Sequence, residues 1–192
     1  MIQIEESLKL AEGGTRTCFL HPNDKTKVIK IAKKNKTFFR LNGNQQEWKH
    51  YQYLQKKFKS TEFLIKCYGY QKTSLGNGLV FECMRDHDGN LSKTLKEIFF
   101  NKNHGYDEKR LLSAITDFCD MLIEENIQFF DLNLGNLALK ISPNQSYQVF
   151  AVDIKGRYAN HELIPVSTYI PFFSRRKLRR RTTELKLQID LI

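Results

Sequence analysis

The sequence predicts an α+β chain in two lobes, a five-stranded antiparallel sheet with one helix followed by a smaller, mainly helical half. Three observations carry this. Residues 1 to 84 hold short apolar bursts broken by turn residues, one stretch from Gln46 to Phe58 switches to helical spacing, and after residue 84 the apolar residues recur mostly three or four apart. With 192 residues, 41% hydrophobic and 27% charged, the composition is that of one ordered domain, with an N-lobe expected over 1–84 and a C-lobe over 85–192.

The first three strands are expected at Leu8 to Leu10, Thr17 to Leu20 and Val28 to Ile31, separated by Gly13-Gly14 and by His21-Pro22-Asn23-Asp24. The helix follows, with Trp48, Tyr51, Leu54 or Gln55, and Phe58 on one face. Two more strands are expected at Phe63 to Tyr70 and Leu79 to Met84, joined by a turn over Ser74 to Gly78. After the Asp86-His87-Asp88-Gly89 turn comes a helix carrying Leu91, Leu95, Ile98 and Phe99, then a polar loop from Lys102 to Tyr106. Asp107 is placed to cap a long helix whose broad stripe of Leu111, Leu112, Ile115, Phe118, Cys119, Leu122 and Ile123 ends near Asn126. Leu137 to Ile141 and Val149 to Val152 read as a hairpin around Ser142 to Ser146.

Composition also bounds the function. Cys18, Cys67, Cys83 and Cys119 are far apart and include no C-x-x-C pair, so free buried thiols are expected rather than a zinc site. The N-terminus has neither a basic start nor an apolar core, which predicts a cytoplasmic protein. The net charge of +10 is concentrated at Arg175, Arg176, Lys177, Arg179, Arg180 and Arg181. Leu178, Leu185, Ile189 and Ile192 would line the other face of that helix, a pattern suited to an anionic membrane surface at the inner membrane or to an anionic substrate, and equally to a solvated face. No zinc-finger or RNA-binding motif accompanies the patch, which argues against nucleic acid as the partner.

Phosphoryl transfer needs a cation near the phosphates, acidic and amide oxygens for magnesium, and a carboxylate beside the nucleophile. The chain supplies these in a suggestive order. Lys30 ends the strand Lys27-Val28-Ile29-Lys30, Glu47 begins the next helix, Asp131 and Asn136 stand in a loop after the long helix, and Asp153 follows the hairpin. Val28-Ile29-Lys30 resembles the protein-kinase strand that carries the phosphate-binding lysine, Asp131-Leu-Asn-Leu-Gly-Asn136 resembles the catalytic loop, and Asp153-Ile154-Lys155 stands where kinases hold Asp-Phe-Gly. Three further runs are similar to the YrbL-type family of PhoP-regulated bacterial kinase-like proteins: Cys18 to Asp24, His87 to Leu95 and Leu163 to Thr168. That likeness spans nearly the whole chain.

The resemblance implies a bilobal protein-kinase-like fold that binds ATP and Mg2+. Lys30 would contact the α- and β-phosphates and pair with Glu47, Asp131 would orient the acceptor hydroxyl or take its proton, and Asn136 and Asp153 would hold magnesium. Phe81-Glu82-Cys83-Met84 would be the hinge that receives adenine, through backbone groups such as those of Glu82 and Met84. Gly13 and Gly14, with the Thr15-Arg16-Thr17 turn, would lie over the phosphates, although a plain hairpin turn explains the two glycines as well. Glu47 could equally serve its own helix start.

The departures shape the expectation. Phe129 and Phe130 replace the His-Arg that precedes the kinase aspartate and read as core, and Asn133 replaces the lysine two residues after it. Lys155 and Arg157 are the nearest cations along the chain that could take over. Only residues 154 to 192 follow Asp153, fewer than a peptide-binding C-lobe uses, so a small-molecule or lipid-headgroup hydroxyl is the expected acceptor. Two main functions remain, an ATP- and magnesium-dependent phosphotransferase and a catalytically weak or inactive pseudokinase acting as a nucleotide-regulated binding module, with a basic nucleic-acid or membrane-surface module on a kinase scaffold as a more distant third.

Overall fold

The computed structural model describes residues 1–33, 42–101, 105–129, 131–154 and 171–190. The chain divides into two compact units, Met1–Met84 and Arg85–Ile192.

In the first unit a short 3-10 turn leads into β1 (Lys9–Glu12), β2 (Arg16–Leu20), β3 (Lys27–Ala32), α1 (Gly43–Lys57), β4 (Cys67–Thr73) and β5 (Gly76–Glu82). The five strands form one sheet in the order β1-β2-β3-β5-β4, with every neighbouring pair antiparallel. β3 therefore lies at the centre, and Val28 to Ile31, Lys30 included, are all buried. On one face Phe19, Ile29, Ile31 and Val80 form a cluster that Ile2, Ile4 and Leu8 cover. The close approach of β3 and β5 requires Gly78, since a Cβ there would stand 2.3 Å from Ile29 Cγ2.

Several boundaries differ from those the apolar pattern suggests. α1 starts at Gly43 rather than Gln46, because Asn42 and Gln45 form a capping box ahead of the apolar residues. Leu54, not Gln55, turns inward, while Trp48 is half-buried and stacks on Tyr51 with ring centroids 6.3 Å apart. Phe63, Leu64 and Ile65 are buried but precede β4, and a turn bond from Leu64 N to Thr61 O holds them outside the ladder. β5 begins at Gly76, whose φ of 110° closes the turn after Leu75, and it ends before Cys83 and Met84.

The second unit contains α2 (Leu95–Phe100), α3 (Glu108–Glu124), the hairpin β6 (Leu137–Ile141) and β7 (Tyr147–Ala151), and α4 (Pro171–Asp190). α2 is shorter than its apolar spacing implies. Thr94 and Glu97 make a capping box, while Leu91 is 40% exposed and sits in an isolated bridge with Arg85. Asp107 caps α3 by accepting from Arg110 N at 2.9 Å. The α3 face of Leu111, Ala114, Ile115, Phe118, Cys119 and Leu122 is buried, and Phe129 packs edge-on against Phe118 with centroids 6.3 Å apart. The cysteines are free thiols, with Cys83 and Cys119 buried and Cys18 and Cys67 half-buried. Phe130, Lys155, Arg157, Leu163 to Thr168, Ile192 and residues 102–104 of the polar loop lie outside the described residues.

Candidate functional site

The first unit brings Lys30 and Glu47 together. Lys30 Nζ donates to Glu47 Oε1 at 2.8 Å, and the two side chains are only 10% and 2% exposed. Strand alternation sets the direction of Lys30, and α1 places Glu47 one turn into its inner face, with Tyr51 and Leu54 following on the same side. Lys30 Nζ also stands 4.2 Å from the centroid of the Phe81 ring, an aromatic face that favours a cation. Asn44 ties α1 to β3 through its Nδ2, which donates to the Lys30 carbonyl at 2.7 Å. A third charged group was not foreseen. Arg16, 9% exposed at the start of β2, donates from Nη1 to Glu47 Oε2 instead of lying in the turn beside Gly13 and Gly14.

The other predicted groups of this unit lie in or beside the same sheet. Cys18 is the register partner of Lys30 on the neighbouring strand, and burial pushes its thiol up from the ordinary value, against the pull of the Lys30 charge. Gly13 N donates to Arg16 O at 2.8 Å, closing the β1–β2 turn, and a Cβ on Gly14 would meet nothing within 4 Å. At the end of β5, Glu82 N donates to Lys66 O and Cys83 N to Thr26 O, at 2.8 and 2.7 Å. Met84 is buried directly after them.

The second unit builds a compact polar loop. Asn133 Nδ2 donates to Asp131 Oδ1 at 2.9 Å, and Asn133 Oδ1 accepts from Gly135 N at 2.9 Å. Asn136 Nδ2 donates to the Asp131 carbonyl at 2.9 Å, which fixes the loop across five residues and leaves the Asn136 amide oxygen as its acceptor end. Val152 N then donates to Asn136 O at 2.9 Å, so half-buried Asp153 follows one residue beyond this bond. Asp131, Asn136 and Asp153 thus share one local framework. Among the described residues no group of three or more His, Cys, Asp or Glu could hold a metal ion. An amide oxygen and a carboxylate are nevertheless the hard donors that suit an ion whose remaining ligands are phosphates and water.

Helix α4 holds the segment that precedes this loop. Ser174 Oγ donates to Asn126 Oδ1 at 2.6 Å, Gln128 Nε2 donates to Ser174 Oγ at 2.5 Å, and Arg181 Nη1 donates to the Phe129 carbonyl. The residues Asn126 to Phe129 lead directly to Asp131. Ser174, Leu178, Thr182 and Leu185 form the buried face of α4, and Ile189 is half-buried, while Arg175, Arg176, Arg179 and Arg180 are exposed. Among the described residues no helix is long and apolar enough to cross a membrane.

His21 and His87 serve turns. His21 Nδ1 accepts from Asn23 N at 3.2 Å, and His87 Nε2 meets Gln145 Nε2 at 2.9 Å.

A solved structure of the CAK complex from Chaetomium thermophilum bound to ATP-gamma-S matches with a TM-score of 0.51 at 16% identity, covering 77% of this chain and 45% of that one. The chain therefore has a kinase-like fold, and it spans less than half the length of that solved chain. The uncharacterized protein YrbL of Escherichia coli (strain K12) is 27% identical over 185 residues, covering 94% of this chain and 84% of the relative. Its namesake from Shigella flexneri matches to the same extent, 27% over 185 residues. The family model for PhoP regulatory network protein YrbL matches residues 2–189, from ahead of the first strand to the last turn of α4, and the chain belongs to that family.

Proposed function

We propose that the protein is an ATP- and magnesium-dependent phosphotransferase that moves the γ-phosphoryl group to a hydroxyl. The buried Lys30–Glu47 pair, 2.8 Å apart, is the observation that carries the reading. A lysine held this way presents its charge from a fixed position without solvent screening, which is what recognition of a nucleotide's phosphates requires. The N–H groups of Glu82 and Cys83 are spent on Lys66 and Thr26, so the Glu82 carbonyl and the Met84 N–H are the hinge groups proposed to meet adenine.

In this reading the acceptor oxygen forms a bond to the γ-phosphorus as the bond to the β-phosphate oxygen breaks, and ADP leaves. The hydroxyl proton passes to Asp131, whose carboxylate Asn133 orients. Magnesium, when bound, would neutralise charge on the phosphate oxygens, and the Asn136 amide oxygen and Asp153 carboxylate are the residues that would hold it.

A second reading, a pseudokinase, is favoured by one specific contact. Asn133 takes the place of the kinase lysine and binds Asp131, so this position supplies no cation to the transferred group. Calorimetric titration of Mg·ATP together with ATP consumption in wild type and Asp131→Ala separates the two. Turnover lost in the variant with binding retained supports the phosphotransferase, binding without turnover in either protein supports the pseudokinase, and absence of binding overturns both.

Helix α4 adds a proposal about the acceptor's surroundings. Phe172 and Leu187, 69% and 54% exposed, lie on the same outward face as Arg176 and Arg180. Apolar anchors beside arginines suit an anionic membrane surface, where a lipid-headgroup or other small hydroxyl acceptor could be met.

A further inference from the structure

We infer that Arg16 is a positioning residue that keeps α1 docked on the sheet, so that Glu47 holds Lys30 in place to meet phosphate. The inference deepens the nucleotide reading and rests on it for the phosphate contact, but the docking itself stands on geometry within the first unit.

Glu47 offers two carboxylate oxygens, and each is bound by a different strand. Lys30 on β3 takes Oε1 at 2.8 Å, and Arg16 on β2 takes Oε2. The Arg16 and Glu47 side chains are 10% and 2% exposed, so neither can move into solvent without leaving the other's charge buried. Arg16 gives Glu47 a second charge-assisted partner, so α1 stays on the sheet and the carboxylate keeps its hold on Lys30 while the lysine meets phosphate.

The first turn of α1 is shaped around the arginine. A Cβ on Gly43 would stand 3.1 Å from Arg16 Cδ and 3.3 Å from both Cγ and Nε, so the helix begins with a residue that leaves room for that side chain. Asn44 adds a further tie on the same turn by donating to Lys30 O at 2.7 Å. Gly43, Asn44 and Glu47 thus bind the helix start to two strands, and Arg16 is the link to β2.

The test is hydrogen exchange of the full chain without nucleotide, combined with Mg·ATP titration, for Arg16→Gln, Arg16→Lys, Glu47→Gln and the Arg16→Gln/Glu47→Gln pair. In Arg16→Gln the amides from Gln46 to Tyr51 are expected to exchange about tenfold faster while β4 and β5 keep their protection. The Kd for Mg·ATP is expected to rise about tenfold, Arg16→Lys to recover much of both effects, and Arg16→Gln to add nothing in the Glu47→Gln background. Unchanged α1 protection in Arg16→Gln, or full additivity with Glu47→Gln, overturns the inference. Lost protection in α1 when no form binds ATP supports the docking role and overturns the phosphotransferase reading instead. Should Arg16→Gln fail to fold, Arg16→Lys decides alone. Protection and affinity between wild type and Glu47→Gln support the role, and values equal to those of Glu47→Gln overturn it.

Discussion

Asn133 Nδ2 donates to Asp131 Oδ1 at 2.9 Å, so the residue that stands where kinases keep a lysine is spent on orienting the neighbouring carboxylate. The same side chain accepts from Gly135 N at 2.9 Å, which makes it a brace for the loop as well as a partner for Asp131. If the protein transfers phosphate, Asn133→Ala is expected to lower kcat about tenfold while the Kd for Mg·ATP changes little. Single-turnover kinetics beside calorimetry check the split. An equal loss in both quantities would assign Asn133 to nucleotide binding.

Glu47 is bound by two cations, and the consequences of removing each partner should be unequal. Glu47→Ala leaves Lys30 and Arg16 buried without the shared carboxylate and is expected to cost about 3–5 kcal/mol. Lys30→Met leaves the Arg16–Glu47 contact in place and should cost about 1–2 kcal/mol. Urea unfolding of both variants measures the difference, and equal costs would show that the two contacts do not share the load.

Arg181 reaches across 52 residues of sequence to the Phe129 carbonyl. Arg181→Ala removes that donor and is expected to destabilise the protein by about 1–2 kcal/mol, with Ser174→Ala costing about 1 kcal/mol through Asn126 and Gln128. Hydrogen exchange should show the change first in the amides around Asp131. Loss confined to α4 would mean that the helix does not brace the loop.

Burial pushes the thiols of Cys67 and Cys119 up to about 11. At pH 8 each should react with iodoacetamide about a hundredfold more slowly than an ordinary cysteine, because the thiolate is the reacting form. The folded value lies above the unfolded one, so the stabilisation linked to these thiols is complete below about pH 9 and is lost as pH rises through about 11. Unfolding midpoints measured across that window should therefore fall, and fall less steeply in Cys119→Ala.

The outward face of α4 makes a separate prediction. Sedimentation with vesicles should show binding to phosphatidylglycerol and not to phosphatidylcholine, weakened by salt and by the paired change Arg176→Glu and Arg180→Glu. Arg180 already engages Glu184 at 3.3 Å, so Arg176→Glu alone is expected to have the larger single effect. Phe172→Ser should reduce binding even at low salt. Salt-dependent RNA binding without vesicle binding would redirect the patch to nucleic acid.

The sequence by itself determined the kinase-like architecture and the order of the charged and amide residues, because strand alternation, helical spacing and turn residues are local signals. Its errors were also local and readable. Asn42-x-x-Gln45 and Thr94-x-x-Glu97 are capping-box spacings that mark where α1 and α2 begin, and weighing apolar period above them misplaced both starts. The buried run Phe63 to Ile65 looks like strand because burial and strand pairing leave the same apolar trace over so few residues.

Partner choice among distant side chains was decided only by the tertiary structure. Arg16 lies beside two glycines in sequence and read as part of a loop, yet the pairing of β2 with β3 and the packing of α1 deliver it to Glu47, 31 residues on. Arg181 read as one more charge in a basic run, and docking of α4 turns it onto Phe129 while leaving Arg176 and Arg180 outside. Arginine reaches far and pairs with any nearby oxygen, so its sequence position fixes neither its direction nor its partner. Burial does that, by making one contact necessary.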